Sequence, residues 1–197
     1  MTPQDIITSA RYVLNDTDAT GYRQSNAELL GYVNEGMREV SAIRPDKFMV
    51  VGDHVCTPLQ SEQNISGTIA QSVIRVIGIK NSSAMTVFDL DSMDRFFPSW
   101  KAATAAPAEQ WSKYPADPLR FFIYPPAPAY PQTLSVFYVK IPTVLALNDT
   151  ITEIPIGMQV PLIDYVVSRA SAKDDEHSLS GRVVAAYSAF VEKIKGV

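Results

Sequence analysis

Apolar residues at helical spacing occupy both ends of this chain, and they constrain its fold more than any other feature. Near the N-terminus they lie three or four residues apart at Leu29, Leu30, Val33, Met37 and Val40. Two sets near the C-terminus repeat this spacing, over residues 162–170 and 179–194. Such a pattern forms a stripe on one side of a helix, and the stripe must be buried against a partner. The two ends of the chain are therefore predicted to pack together.

Local signals predict where the first two helices begin and end. Thr2 followed by Pro3 favours a helix start. Ser25 and Glu28 form the pattern of a capping box, in which each side chain bonds the other residue's backbone N–H. Pro45 cannot continue a helix, so the second helix is predicted to run from residue 26 to about residue 44.

The last two helices have weaker signals. Pro161 is predicted to lie in the first turn of the third helix. Asp174 or Asp175 is predicted to cap the fourth helix, which runs to about residue 195. Gly31 and Gly36 lie inside the second helix, where each costs about 1 kcal/mol relative to alanine. Either another backbone approaches them closely or the helix simply tolerates them.

The residues between these helices have the character of strands and loops. Short β-branched or aromatic runs alternate with Pro, Gly, Ser and Asn clusters, which is typical of strands and turns. The predicted strands are Phe48–Val51, His54–Leu59, Val73–Lys80, Met85–Leu90, Leu119–Tyr124 and Leu134–Ile141. The segment Pro125–Pro131 is predicted to be a long hairpin or a protruding loop.

The predicted fold is therefore α+β. Residues 1–47 and 156–197 form a four-helix bundle from the N- and C-terminal helices. Residues 48–155 form a β-rich insertion with Pro-rich loops, a small antiparallel sheet or sandwich, between the second and third helices.

The composition excludes several classes of protein. Apolar residues make up 46% and charged residues 19% of the 197 positions, as in folded domains rather than disordered chains. The net charge of −4 and the scattered lysines and arginines argue against a free-standing nucleic-acid-binding protein. No apolar run approaches the roughly 20 residues that span a bilayer, so we expect no membrane partner.

The sequence offers few groups for catalysis. Phosphate-binding, dinucleotide-binding and nucleophile-elbow motifs are absent, so we expect no catalytic residue, no cofactor and no metal. The single cysteine, Cys56, lies in an alternating segment and is predicted to be a buried thiol rather than a nucleophile. An enzyme would have to rely on His54 or His177, and this is the least favoured interpretation.

Two acidic clusters are predicted to be helix caps. Asp174–His177 could bind a divalent ion, but neighbouring helical residues point in different directions, and acids stabilise a helix N-terminus without a metal. At Asp89, Asp91 and Asp94 a short-helix cap is favoured over a catalytic carboxylate pair.

Aromatic residues are concentrated between residues 100 and 138. In Phe121–Tyr124 both faces of the predicted strand are apolar or aromatic, so both should be covered. The helices are expected on one side, with a neighbouring subunit as a candidate for the other. Few basic residues are interleaved, which favours packing over stacking on nucleic-acid bases. A β-rich module that binds a peptide or a glycan through these aromatics is the alternative function.

Three parts of the sequence carry a family resemblance: Tyr22–Val40 with Arg44–Asp46, then Phe121–Pro126, and finally Asp164–Glu176. The last contains an Asp-Tyr…Arg-Ala…Lys-Asp pattern. Together they resemble the head-to-tail adaptor, or connector, proteins of tailed bacteriophages, particularly the short-tailed ones, over nearly the full length. The sequence departs from the family at Ser168, where a larger side chain is expected, and at Tyr22, where a tryptophan-like residue is usual.

The resemblance implies a structural virion protein rather than an enzyme. It implies a homo-oligomeric ring, commonly of 12 copies, that docks on the portal protein at the capsid vertex and presents a platform for a tail or nozzle protein. Packaged double-stranded DNA would pass through this ring without sequence-specific binding. The protein would be made in the host bacterial cytoplasm and would reside at the capsid–tail junction.

A closed ring requires contacts between two different surfaces of neighbouring copies. Under this hypothesis, charged residues of the second helix are candidates for salt bridges between copies: Glu28, Glu35, Arg38, Glu39 and Arg44. The alternative for each is an ordinary solvated helix face.

Overall fold

Two compact units make up the structure, a computed structural model that describes residues 1–173 and 180–196. One unit, here called the helical unit, combines Met1–Phe48 with Pro142–Val197, and the other, the β-rich unit, spans Met49–Ile141. The helices of the described residues are α1 (Pro3–Leu14), α2 (Asn26–Ile43), α3 (Leu90–Phe96), α4 (Gln159–Ala172) and α5 (Ser180–Gly196). With two small sheets beside them, the chain is a mixed α+β protein, as predicted.

The N- and C-terminal helices pack together in the helical unit. Helix α4 contacts α1, α2 and α5, while α2 also contacts α1 and α5. The apolar side chains with no exposed surface follow the three- and four-residue spacing of the sequence: Ile6, Ile7, Leu29, Val33, Met37, Val40, Leu162, Val166, Phe190 and Ile194. Burial of these stripes is the main source of stability for helices of this length.

Side-chain caps fix the starts of α1 and α2. At α1 the capping box is complete: the Asp5 N–H donates to the Thr2 hydroxyl, and the Thr2 N–H donates to the Asp5 carboxylate at 2.7 Å. At α2 the Ser25 hydroxyl accepts from the Glu28 N–H at 3.2 Å. The Glu28 carboxylate bonds Tyr32 and Lys173, so only one half of the predicted capping box forms at α2. The complete box lies at α1, where only a helix start was predicted.

At Gly36 a neighbouring helix approaches α2 closely, which is one of the two alternatives that the sequence left open. A Cβ at this position would lie 3.0 Å from Leu162 Cδ2 and 3.0 Å from Tyr165 Cδ1. The glycine therefore lets α4 approach α2 closely. A Cβ at Gly31 would meet no atom within 4 Å.

The segment after Ile141 belongs to the helical unit, although the predicted boundary for the insertion lay at 155/156. Its backbone is bonded to α2, since the Leu145 N–H donates to the Asn34 side-chain oxygen at 2.8 Å. It is also bonded near α1, where the Gln4 N–H donates to the Leu147 carbonyl at 3.0 Å. These hydrogen bonds join residues far apart in sequence. Composition alone does not indicate them, and it placed the segment in the β-rich insertion.

The β-rich unit contains two sheets built from seven strands of the described residues. The strands are β1 (Met49–Val55), β2 (Glu62–Asn64), β3 (Ala70–Ile79), β4 (Thr86–Val87), β5 (Gln110–Lys113), β6 (Arg120–Tyr124) and β7 (Thr133–Lys140). One sheet has the order β1-β7-β3 and is antiparallel throughout. The other has the order β2-β6-β5-β4, with β4 parallel to β5. The expectation of purely antiparallel pairing fails there because α3 lies in the crossover between β4 and β5.

The two sheets share one apolar core. Buried residues of β3 and β7 belong to the same cluster as residues of β5 and β6: Val73, Val76, Leu134, Val136, Trp111, Phe121 and Ile123. These inward positions alternate with more exposed ones along β3 and β7, as expected of sheets with one buried face.

Gly52 does not separate two strands, although the sequence analysis placed a break there. The predicted strands Phe48–Val51 and His54–Leu59 overlap one continuous strand, β1, in which Gly52 pairs with Val136. A Cβ at Gly52 would lie 2.7 Å from the Tyr138 ring. The absence of a side chain at Gly52 leaves room for this ring to pack against the backbone.

Phe121–Tyr124 is covered on both sides by its own unit, so a neighbouring subunit is not required there. Phe121 and Ile123 face the shared core. Phe122 faces a second cluster with Phe88 and Trp100, whose ring centroid lies 5.4 Å from that of Phe122.

The segment Pro125–Pro131 connects the two sheets, so the predicted hairpin is wrong: β6 and β7 do not pair. The centre of the segment does not protrude either, because Ala127 is fully buried. The Ala127 N–H donates to the Gln60 carbonyl at 3.1 Å, and the Ala127 carbonyl accepts from the Leu59 N–H at 2.9 Å. These bonds hold the loop within the β-rich unit.

Candidate subunit-interaction surface

The outward side of α2 carries the charged residues predicted to join copies of the chain. Glu28, Glu35 and Glu39 are separated by seven and four positions, so they lie along one side of the helix. Arg38 is next to Glu39, and Arg44 is the C-cap residue of α2.

Two of these glutamates are paired within the chain. Glu28 accepts a hydrogen bond from Lys173 at 2.5 Å, and this bond holds the pKa of Glu28 below its usual value. Glu35 is paired with Arg169 at 3.1 Å. Both cations lie at the C-terminal end of α4, where they also favour the helix dipole. Because these pairs are largely exposed, each contributes at most about 1 kcal/mol.

Arg44 joins the ends of two helices. Its guanidinium forms a bidentate pair with Asp46, at 2.9 and 3.0 Å. It also donates to the Ile194 carbonyl at 3.1 Å, in the last turn of α5. Three hydrogen bonds of one side chain to its own chain assign Arg44 a structural role, which leaves it less available for a contact between copies.

Arg38 and Glu39 differ from the other three candidates. Arg38 is exposed and Glu39 is partly exposed, and among the described residues neither forms an ion pair. Gly31 and Ala42 are exposed on the same side of α2 as Arg38, at intervals of seven and four positions. We call Gly31, Arg38 and Ala42 the α2 strip. It combines two residues with little or no side chain and one arginine that has no ion-pair partner in the described part of the chain.

A shallow groove of about 420 Å³ lies beside Glu39, between α4 and α5. Tyr165 and Arg169 line it from α4, and Val184 and Tyr187 line it from α5. Burial raises the pKa of Tyr165 to about 12, with a further contribution from the carboxylates of Glu35 and Glu39.

This groove was not predicted, because Tyr187 falls at helical spacing within the apolar set of residues 179–194 and was therefore expected to be buried. Tyr187 is 42% exposed and Val184 is 63% exposed. The position of Val184, outside the three- and four-residue stripe, was the one available signal.

Cys56 and His54, two of the residues considered for catalysis, have structural roles. Cys56 is buried as predicted, and burial raises the pKa of its thiol to about 12, so the thiol is protonated at neutral pH. His54 lies in β1 and bonds Gln63, and burial lowers the pKa of its imidazole.

Two acidic residues of the cluster at Asp89, Asp91 and Asp94 have structural roles, one as a helix cap and one as the hydrogen-bond partner of a tryptophan. Asp89 is the N-cap of α3 and accepts from the Ser92 N–H at 2.9 Å, as predicted. Asp94 accepts from the Trp100 ring N–H at 2.7 Å. The Asp174–His177 cluster lies outside the described residues. In the part of the chain that is described, no group of three His, Cys, Asp or Glu residues is placed to hold a metal ion.

The aromatics of the β-rich unit are divided between its interior and its surface, where Phe96, Phe97 and Tyr130 are exposed. Trp100, Trp111, Phe121 and Phe122 are all buried, so they are unavailable for stacking on a glycan, a peptide or a nucleic-acid base. None of the helices within the described ranges is long and apolar enough to cross a membrane.

Two small packed units with charged helix surfaces fit a structural role, and a family comparison gives the class, a structural adaptor protein of a bacteriophage. The family model for the SU10 adaptor protein matches residues 1–197, so the chain belongs to the SU10 adaptor protein family. The match confirms the resemblance to phage head-to-tail adaptors. A comparison with curated proteins gives no match.

Proposed function

We propose that this protein forms a ring, commonly of 12 copies, that docks on the portal at the capsid vertex and provides the attachment platform for a tail or nozzle protein. The family match over all 197 residues carries this proposal. The protein would be made in the cytoplasm of the host bacterium and would take its place at the capsid–tail junction of the virion.

In this proposal the helical unit is a four-helix bundle that forms the body of the ring, and the β-rich unit contacts the portal or the tail. Double-stranded DNA passes along the axis without sequence-specific binding. The net charge of −4 supports passage rather than grip, because tight binding to DNA requires cations that neutralise phosphates.

The α2 strip is proposed as part of the contact between copies. Gly31 and Ala42 leave room for a neighbouring backbone, and Arg38 supplies a charge that has no ion-pair partner among the described residues. In a ring, this surface would meet a different and acidic surface of the next copy. Glu39 is proposed as a contact on the flank of the strip, while Glu28, Glu35 and Arg44 are proposed as secondary contacts because their charges are already paired.

The proposal is tested by mixing the purified protein with the portal protein encoded beside it and imaging the mixture by electron microscopy. We expect ring-on-portal particles for the unaltered chain. Arg38→Glu should need about tenfold more protein for the same yield of particles, which corresponds to about 1.4 kcal/mol per contact.

Lys195→Glu is the matched control, since it makes the same change of charge at an exposed position of the helical unit outside the α2 strip. It should assemble as the unaltered chain does. A mixture without ring-on-portal particles would refute the proposed function, whereas normal assembly of Arg38→Glu would refute only the role of Arg38.

A further inference from the structure

The outer edge of β1 carries backbone groups that are unpaired within the described residues. The order β1-β7-β3 places β1 at the edge of its sheet. The Cys56 N–H donates to the Gln132 carbonyl at 2.8 Å, so Gln132 faces β1. The Lys80 N–H donates to the Thr133 carbonyl at 2.9 Å, so Thr133 faces the opposite way.

This alternation identifies the outward residues of β1. The direction of the hydrogen bonds reverses at each residue of an antiparallel strand. Thr133 is the register partner of Val55, and Val51 and Asp53 lie four and two residues before Val55. The N–H and C=O groups of Val51, Asp53 and Val55 therefore point away from β7, and they offer three donors and three acceptors.

The side chains of these three residues form an exposed row. Val51 is 59% exposed and Val55 is 63% exposed. Asp53 lies between them and is ion-paired with Lys80, and both partners of this pair are about half exposed. The edge thus presents an apolar, an acidic and an apolar position in succession.

The opposite edge of the same sheet is protected. β3 has three register irregularities along its pairing with β7, and bulges of this kind discourage pairing with another chain. Neighbouring loops also bond its outward groups: the Ile77 carbonyl accepts from the Met85 N–H at 3.0 Å, and the Val73 N–H donates to the Pro118 carbonyl at 2.7 Å. Within the described residues, β1 has no register irregularity and no loop bonded to its outward groups.

We propose that β1 binds an extended segment of a different protein by strand addition, with residues 51–55 pairing to that segment. The spacing of outward donors and acceptors fits an extended backbone, which would become a fourth strand of the sheet. The segment would place a basic side chain opposite Asp53 and an apolar side chain opposite each valine, since opposite charges and apolar pairs stabilise directly opposed positions.

A second copy of this chain fits the edge poorly. Neither antiparallel register that pairs the outward residues of two β1 strands gives Asp53 a basic partner: full overlap of Met49–Val55 places Asp53 opposite Val51. Overlap of residues 51–55 alone places Asp53 opposite Asp53 of the other copy, where like charges are destabilising. The edge of β3 is covered, and the remaining edge strands β2 and β4 have three and two residues. The occupant is therefore a different protein. The statement that this partner is a portal or tail component rests on the proposed function.

Hydrogen exchange in the unaltered protein tests the proposal. The amides of Val51, Asp53 and Val55 should exchange faster in the isolated chain than those of Gly52 and His54, which face β7. In the assembled ring–portal–tail particle the three outward amides should slow at least about tenfold, as read by mass spectrometry with fragmentation to single residues. Outward amides that stay fast in the particle would overturn the proposal. So would slow exchange in the isolated chain accompanied by self-association in the ultracentrifuge, because the occupant would then be a second copy.

A variant pair provides the second test. Asp53→Pro removes one outward N–H, and proline is tolerated on an edge strand where its nitrogen faces solvent. Asp53→Asn is the control that removes the charge and keeps the N–H. The proline variant should lower the yield of complete particles at least about tenfold, and the asparagine variant should have a smaller effect.

The experiments distinguish failure of the proposed function from failure of strand addition at β1. Unaltered protein that forms no ring on the portal overturns the proposed function. Normal ring-on-portal particles with equal yields of complete particles for Asp53→Pro and the unaltered chain overturn only the strand addition.

Discussion

Alanine substitution of the two glycines inside α2 separates packing from helix propensity. At either position alanine gains about 1 kcal/mol of helix propensity. The methyl group added at Gly31 meets no atom within 4 Å. Gly31→Ala is therefore expected to raise the free energy of unfolding by about 1 kcal/mol.

At Gly36 the contact with α4 outweighs this gain. The new methyl would lie 3.0 Å from Leu162 Cδ2 and from Tyr165 Cδ1. The Tyr165 ring has little room to move because it is buried and packs on Phe190 with ring centroids 5.1 Å apart. Forcing a methyl into such a site costs about 1–3 kcal/mol. Gly36→Ala is thus expected to lower the free energy of unfolding by about 1 kcal/mol, a difference of about 2 kcal/mol between the variants.

Urea unfolding followed by far-ultraviolet circular dichroism measures this difference. With a slope of about 2 kcal/mol per molar urea, the midpoints of the two variants should be about 1 M apart. If Gly36→Ala were as stable as Gly31→Ala, the close approach of α4 to α2 at Gly36 would be wrong.

Two further substitutions probe charges of the helical unit. Arg11 forms a buried ion pair with Asp16, so Arg11→Met removes this guanidinium from the buried carboxylate, which keeps the hydrogen bond from the Arg23 N–H. This substitution should lower the free energy of unfolding by about 3 kcal/mol in denaturant titrations; a loss below about 1 kcal/mol would contradict this. Lys173→Ala should raise the pKa of Glu28 toward its usual 4.5, as read by carboxyl NMR titration, because the hydrogen bond from Lys173 is the main cause of the lowered pKa. The contribution of this pair to stability is present above pH 4.5 and is lost as the pH falls through the lowered pKa, and an unchanged titration of Glu28 would refute the pairing.

The helices of the N-terminal half were predictable because their signals are local. Thr2, Ser25 and Pro45 act on backbone groups within a few residues, so each fixes a helix end without knowledge of the rest of the fold. The stripes predicted burial for the same reason, since the period of a helix determines which residues share a side.

The strands were harder because polar residues form two of them. β2 and β5 consist of Glu62–Asn64 and Gln110–Lys113, which lack the β-branched and aromatic runs that indicate strands. Gln63 is buried in β2 because its amide bonds Thr57 and the Gln60 carbonyl. Only the folded loop supplies those partners, so no pattern in the sequence indicates them.

The candidate surface also has one part that local sequence signals predict and another part that depends on the folded structure. The side of α2 that carries Glu28, Glu35 and Arg38 follows from helical spacing. The pairing of Glu28 and Glu35 with cations of α4 spans 145 and 134 residues. Contacts at such separation depend on how the helices pack, and they decide which charges are left for a neighbour.

The first and last strands of the β-rich unit lie side by side, with Met49 paired in register to Val139. The chain thus enters and leaves this unit at adjacent points, about 5 Å apart as for any paired strands. A segment with neighbouring ends can be exchanged as a cassette without stretching the polypeptide that carries it. Under the proposed function, exchange of this cassette changes the lobe that meets the portal or the tail and leaves the helical unit intact.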